Sequence, residues 1–291
     1  MKICPQCDAR YDSPEWACPG CGSTPPLING FPALAPEFVE AGDGFNPEYF
    51  AQLAGLEKGN FWFQSRNRLI LMLLHRHAPA LTSFMEIGCG TGFVLSNIAA
   101  NHPTAELTGA EIFSAGLGHA ARRLPNAQFI QMDARNIPFD SHFDVLGAFD
   151  VIEHINEDEA VLAQINKALK PGGIMLLTVP QHPALWSKQD EKACHVRRYT
   201  AAELEGKVKS AGFEILDSGS FVSLLLPLMW LSRSMANRDS NTEHDAMAEL
   251  RIGKLMNLML KAVMSVEMLL TSIGVRFHSV GSRFLVARKP C

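Results

Sequence analysis

The chain has 291 residues, 47% of them hydrophobic and 19% charged, with a formal net charge of −4. That supports one large packed domain plus a small appendage. The negative balance excludes DNA as a partner and disfavours RNA, because nothing attracts a phosphate backbone in general. Met1-Lys2-Ile3-Cys4 is not followed by the apolar core of a signal peptide. No uncharged apolar run approaches the ~20 residues of a membrane span; the stretch 218–232 is short and contains Pro227. A cytoplasmic setting with reduced thiols is therefore expected.

Four of the seven cysteines form two pairs, Cys4-Pro5-Gln6-Cys7 and Cys18-Pro19-Gly20-Cys21, ten residues apart. Two such pairs on tight turns place four thiolates around one Zn²⁺, so residues 1–30 read as a zinc knuckle with Cys4, Cys7, Cys18 and Cys21 as ligands. A redox dithiol and a pair of disulfides are the competing readings, and the compartment and the symmetry disfavour both. A closed four-cysteine site leaves no open coordination position, which assigns the metal to structure or recognition. The first 45 residues hold two basic and six acidic side chains, so this end is no basic arm. Residues 31–45, with Pro32, Pro36, Gly42 and Gly44, read as a linker.

Residues 46–291 form the main domain. Asn46-Pro47-Glu48 starts a helix through Phe50 and Leu53, and Phe61-Trp62-Phe63 opens a second. From Phe84 onward short strands alternate with helices, which predicts a parallel sheet with helices on both faces. Strands fall at 84–86, 106–111, 128–133, 143–149, 174–179, 213–221 and 282–287. The first three end in Glu86, Glu111 and Asp133, and ligands of such sheets sit beyond the carboxyl ends of the strands. After Glu86 come Gly88, Gly90 and Gly92 at alternate positions, then a helical pattern. The dinucleotide fingerprint fails, since its third glycine would fall on Phe93 or Leu95, and no Walker lysine is present.

What remains, Glu86-Ile87-Gly88-Cys89-Gly90-Thr91-Gly92, resembles the first motif of class I S-adenosylmethionine-dependent methyltransferases, of the ubiquinone-biosynthesis-like type. The resemblance runs over 81–179 and includes the turn Lys170-Pro171-Gly172-Gly173. It implies a seven-stranded Rossmann-like α/β sheet and S-adenosylmethionine as cofactor. It further implies that Glu86 and the three glycines pack against the methionine part. Glu111 would accept from both ribose hydroxyls, Asp133 with Ala134 would meet the adenine, and Asp150 would lie near the sulfonium. Helices ahead of the first strand commonly cover such a site, which makes Trp62 and Arg66 (with Phe63) candidates for the substrate side.

Two later clusters are candidates for chemistry: Asp150-Val151-Ile152-Glu153-His154, and 181–199 with His195, Arg197, Arg198 and Tyr199. His154 or His195 suits a general base near neutrality. Alternatively Asp150, Glu153, His154 and His195 would ligate Mg²⁺ or another divalent ion, as a similar motif does in metal-dependent relatives, though Asp150 stands where those carry Glu. A third reading has Glu153-His154 merely capping the next helix. Arg198 with Tyr199 would fix an anionic group of the substrate, or Arg198 would pair with Asp190 or Glu191.

Residues 222–279 intrude between strands six and seven. A helix is expected over 246–273, rich in methionine (Met256, Met259, Met264, Met268). A cap over an apolar substrate, a homodimer interface, a peripheral membrane contact and plain core packing compete for it. The favoured reading is methyl transfer to a small-molecule or lipid-linked acceptor, at a hydroxyl. An rRNA or tRNA methyltransferase with zinc-module recognition and a non-catalytic cofactor-binding scaffold are the alternatives.

Overall fold

The computed structural model describes residues 1–38, 48–225, 251–277 and 281–291. The expected cap at Asn46, the end of the 31–45 stretch and the region 226–250 lie outside the described residues. Seven strands form the central sheet: β5 (Ser83–Ile87), β6 (Glu106–Glu111), β7 (Gln128–Gln131), β8 (Phe143–Phe149), β9 (Leu169–Pro180), β10 (Glu214–Phe221) and β11 (Ser282–Arg288). Their order is β10-β11-β9-β8-β5-β6-β7. The strands from β9 to β7 run parallel, and β11 is antiparallel to both β9 and β10. This is the Rossmann-like class I sheet the motifs imply. The turn expected at Lys170–Gly173 lies within β9 as an irregularity, where Gly172 takes φ +75° and pairing skips from Leu169 to Ile174.

Strand residues alternate between two cores, because successive side chains leave a sheet on opposite faces. Met85, Leu146, Leu177 and Leu285 pack beneath α5 (Asp158–Ala168) and α7 (Ala201–Ser210). Their neighbours Phe84, Val145, Leu176 and Phe284 pack against α2 (Phe61–His77), α3 (Phe93–Asn101) and α4 (Ser114–Arg123). α1 (Glu48–Leu56) lies against α4, and the short α6 (Lys188–Lys192) falls in the loop after β9. The helix of the insertion, α8 (Lys254–Ser272), starts later than periodicity alone suggests, with residues 251–253 non-helical ahead of it. It packs on α2. Asn257 fixes that contact by accepting from the Phe61 N–H (2.8 Å) and donating to the Gly59 carbonyl (3.0 Å).

The N-terminal module is a two-stranded piece, β1 (Lys2–Ile3) with β2 (Arg10–Tyr11), followed by a second hairpin of β3 (Leu27–Ile28) and β4 (Phe31–Pro32). It docks on the loop after β7: Lys2 bridges Phe139, the Ile3 N–H donates to Pro138 (2.9 Å), and Trp16 meets Phe139 edge-on at 5.8 Å. The stretch read as a linker is packed over its first part. Ala33 bridges Gln131, and the Leu34 N–H donates to the Gln131 carbonyl (2.8 Å). The fully buried Gln131 amide then completes the join, accepting from the Ala35 N–H (3.1 Å) and donating to the carbonyls of Ala35 (2.7 Å) and Ile112 (2.9 Å).

Gln131→Leu fills the space but strands those partners in an apolar setting. It is expected to lower stability by about 2–3 kcal/mol in urea unfolding. A pH effect follows from His142, stacked on Phe139 (5.1 Å) and edge-on to Phe143 (4.7 Å). Burial lowers its pKa from 6.5 to about 4. The unfolded chain therefore takes this proton first as pH falls. The contribution is complete above 6.5 and is lost by about 4. Unfolding curves of His142→Asn across this window are expected to lose less stability than those of the natural chain.

Candidate active site

The loop between β5 and α3 is built where only glycine fits. Gly88, Gly90 and Gly92 have φ of +67°, +51° and +72°. A Cβ on Gly88 would stand 2.5 Å from Val151 Cγ2, and one on Gly92 2.9 Å from the Ala120 Cβ. These left-handed turns let the backbone approach its neighbours closely and bring the chain into α3 with no side chain capping its N-terminus.

Three acids end the three adjacent parallel strands. Glu86 is buried with Oε2 unpartnered, and burial pushes its carboxyl well above the usual range. Glu111 is buried and accepts from the Gly90 and Ile112 N–H groups, both at 2.9 Å, and from Phe113 at 3.3 Å. Burial raises its pKa as well, against those three bonds. Asp133, just past β7, is held by Arg135 through both oxygens (Nε at 2.9 and 3.1 Å). Ala134 is buried in the core beside it.

Asp150 follows β8 with φ +57°, a left-handed conformation rare outside glycine. It pairs with Arg66 of α2 and accepts from Thr178 Oγ1 (3.2 Å). Arg66 thus ties the first helical layer to the sheet edge, while Trp62, one turn earlier, stacks on Phe221 (5.4 Å). Two features of this layer were not foreseen from sequence. Phe50 of α1 lies over the loop, 3.7 Å from where a Gly90 Cβ would be. Glu57, after α1, is buried and accepts from Thr91 Oγ1 (2.5 Å) and Arg123 (3.0 Å). No spacing rule links three residues so far apart in the chain.

The second cluster assembles beside Asp150. Glu153 lies in a 3₁₀ turn (Ile152–His154), fully buried with neither carboxylate oxygen partnered. Burial, then the nearby Asp150, drive its pKa well up. Ligand atoms of Glu153, His154 and His195 lie within 4.8 Å of one another. The two imidazoles meet edge-to-face at 4.8 Å. His154 keeps solvent access on one side, yet crowding and the His195 ring lower its pKa to about 4. His195 Nδ1 lies 2.9 Å from Asp190 Oδ1. Burial of Asp190 opposes ionisation, but His195 and Arg198 outweigh it and hold the carboxyl well below the usual range.

Arg198 and Tyr199, expected to face substrate, are turned inward. Arg198 is buried and donates to Asp190 (2.7 Å) and to the Gln181 carbonyl (3.2 Å). Tyr199 is fully buried, and its hydroxyl donates to Asp158 (2.6 Å). The guanidinium finds its carboxylate eight positions upstream in the same loop. Both residues therefore brace the segment that carries His195. A cleft lined by His77, Asp144, Lys170 and Ile174 lies at the opposite end of the strands and belongs to no part of this constellation.

In the N-terminal module, Cys4 and Cys21 sulfurs lie 3.7 Å apart, as do those of Cys7 and Cys18, and all four fall within 4.8 Å. The edge of a tetrahedron with Zn–S bonds of ~2.3 Å is ~3.8 Å, so the donor set fits such an ion.

A family model described as a methyltransferase domain matches residues 60–218, more than half of the chain, including the glycine loop and the acids at the strand ends. The chain belongs to the methyltransferase-domain family. It is 28% identical over 169 residues to a probable S-adenosylmethionine-dependent methyltransferase of Mycolicibacterium smegmatis, covering 57% of this chain and 64% of that protein. It is 33% identical over 119 residues to a phthiotriol/phenolphthiotriol dimycocerosates methyltransferase of Mycobacterium ulcerans, covering 38% and 44%. The matches thus span less than two thirds of these relatives. Among solved structures, a putative methyltransferase of Haloferax volcanii, in complex with the Trm112 methyltransferase activator, superposes with a TM-score of 0.53. That match is 16% identical and covers 83% of this chain and 98% of the other, so it shows the shared fold.

The family's cofactor can be tested against the loop. Gly88→Ala combines positive φ with the Val151 clash and is expected to weaken S-adenosylmethionine binding at least about tenfold in calorimetry. Adding Val151→Ala removes the clashing methyl and is expected to recover part of that loss, whereas no recovery would place the defect in φ alone.

Proposed function

We propose that this methyltransferase-family chain transfers the methyl group of S-adenosylmethionine to a hydroxyl of a small-molecule or lipid-linked acceptor. The observation that carries the reading is the glycine loop with Glu86, Glu111 and Asp133 at the ends of three adjacent parallel strands. The residues suit the cofactor. Glu111 spends three of its roughly four lone-pair sites on backbone amides, two on Oε1 and one on Oε2, which leaves one on Oε2 for a ribose hydroxyl. Asp133 remains an acceptor for an exocyclic amine while Arg135 orients it. Glu86 offers a buried oxygen with no protein partner.

The cofactor supplies an electrophilic methyl group, so the protein's task is chiefly alignment and, for a hydroxyl, removal of a proton. His195 suits that removal. Asp190 holds its Nδ1 side and leaves Nε2 to accept, and Arg198 fixes Asp190 in turn. His154, neutral over the physiological range, packs against the same ring. The relative from Mycobacterium ulcerans, a phthiotriol/phenolphthiotriol dimycocerosates methyltransferase, supports a lipid-linked acceptor. A Zn²⁺ held by Cys4, Cys7, Cys18 and Cys21 completes the reading, with a structural role, in a cytoplasmic protein whose thiols stay reduced. A second reading of the other cluster has Glu153, His154 and His195 holding a divalent ion, favoured by the two unpartnered Glu153 oxygens.

The zinc-loaded chain, incubated with methyl-labelled S-adenosylmethionine and separate pools of lipid extract, small metabolites and RNA, is expected to label lipid or metabolite. Label confined to RNA, or cofactor binding with no label in any pool, overturns the proposal. His195→Asn is expected to cut kcat by about 10²–10³-fold with cofactor affinity unchanged. If added Mg²⁺ or Mn²⁺ raises kcat of the natural chain and not of Glu153→Gln, the ion reading replaces the base.

A further inference from the structure

α8 is built inside out for a helix on a soluble protein. Its inner side carries Leu260 and Met264 but also Glu267 and Thr271, all buried. Glu267 is 1% exposed and accepts from the Leu224 N–H at 2.8 Å, so the helix's acid is spent on backbone amides. The outer side carries Leu255, Leu258, Met259, Val266 and Leu269, with Ile273 just past its end, each between 52% and 73% exposed. At 3.6 residues per turn these positions fall within an arc of about 100° and therefore share one face. A face of large aliphatic side chains of this length on an isolated chain marks a contact.

Charge decides what the contact is. In 251–277 the basic residues are Arg251, Lys254, Lys261 and Arg276, and the acid is the buried Glu267. α2, against which α8 lies, contains no acid and adds Arg68, while Arg66 pairs with Asp150 and both Arg76 and Arg276 pair with Asp217. With those pairs set aside, Arg68, Lys254 and Lys261 still make this layer basic on a chain whose net charge is −4. A second copy docked here about a two-fold axis would set these cations against themselves. An anionic lipid surface complements both the apolar face and its basic flank. α8 has the length and composition to cross a membrane, with a mean hydropathy of 1.3. Its inner side is nonetheless tied to α2 by Asn257, by Arg68 to Ser265 Oγ (3.3 Å) and by Arg76 to the Ser272 carbonyl (2.8 Å). A helix so tied lies in the plane of a surface rather than across it.

We propose that the outer face of α8 docks this protein on an anionic membrane surface, with its leucines in the interface and Lys254 and Lys261 at the headgroups. The contact is independent of the methyl-transfer reading, and its test reads binding alone. The full chain is sedimented with phosphatidylcholine vesicles, with and without phosphatidylglycerol. Binding at least about tenfold stronger to the anionic vesicles is expected, and weaker at high salt. Leu258→Glu with Leu269→Glu, both at exposed positions, is expected to abolish it while leaving the circular dichroism and cofactor affinity unchanged; Lys254→Glu with Lys261→Glu is expected to remove the preference for anionic lipid. Failure to bind anionic vesicles overturns the proposal, as does equal binding by the leucine variant. A dimer in solution that the leucine variant dissociates, without vesicle binding, overturns it in favour of a second copy.

Discussion

The constraint on which the rest depends is the passage of backbone through residues 88–92. Gly88 and Gly92 stand where another element presses on the chain, whereas a Cβ on Gly90 would meet nothing closer than Phe50 at 3.7 Å. Val151, after β8, presses on Gly88, Ala120 of α4 presses on Gly92, and the Gly90 N–H is taken by Glu111 at the end of β6. Side chains at these points would separate the strand ends from one another. Because none is there, β5, β6 and β8 end at one crevice, and the acids that follow them become neighbours. The cost is a backbone in the left-handed region at three alternate positions, which glycine tolerates and other residues resist.

Buried acids are the second theme, and they divide by what they bond. Asp190 and Asp158 are buried with cationic partners, and both carboxyls are held below the usual range despite burial. Glu86 and Glu153 are buried without such bonds, and both are pushed well up. The first pair braces loops: Asp190 gathers Ser187, His195 and Arg198, and Asp158 gathers Tyr199, Arg197 and Lys207. The second pair sits at the ends of β5 and β8, where the reaction is proposed. Unsatisfied buried carboxylates are costly, so a fold keeps them where a ligand or proton meets their need.

Sequence made the sheet legible because its signals were local. Glycine at alternate positions, an acid at each strand end and apolar runs punctuated by turns each speak within a few residues. The cysteine pairs were legible for the same reason. The inward turn of Tyr199 was not, since its fate is set by Asp158; for Arg198 the pair with Asp190 stood beside the substrate reading, because a basic residue after a strand looks alike whether it meets substrate or scaffold. Phe50 was legible only as part of a helix ahead of the first strand, and Glu57 carried no signal: each meets the loop from outside the motif-bearing stretch. The start of α8 was misplaced because helix propensity in 246–253 says nothing of what the chain packs against.

The parts of the chain outside the matched span 60–218 share a physical role that no motif announces. A parallel sheet open at both sides presents unpaired backbone groups at its edge strands, β7 and β10. Ala33 and Leu34 pair with Gln131 along one edge. At the other, Ser220 of β10 bridges Phe277, with its N–H donating to the Phe277 carbonyl at 2.8 Å. The N-terminal cysteine module and the insertion are thus also edge covers, each anchored within reach of one side of the candidate site. Gln131 is two residues from Asp133, and Phe221, at the other edge, carries Trp62. The N-terminal module therefore borders the Asp133 side of the strand ends, and α8, through α2, borders the side held by Arg66 and Asp150.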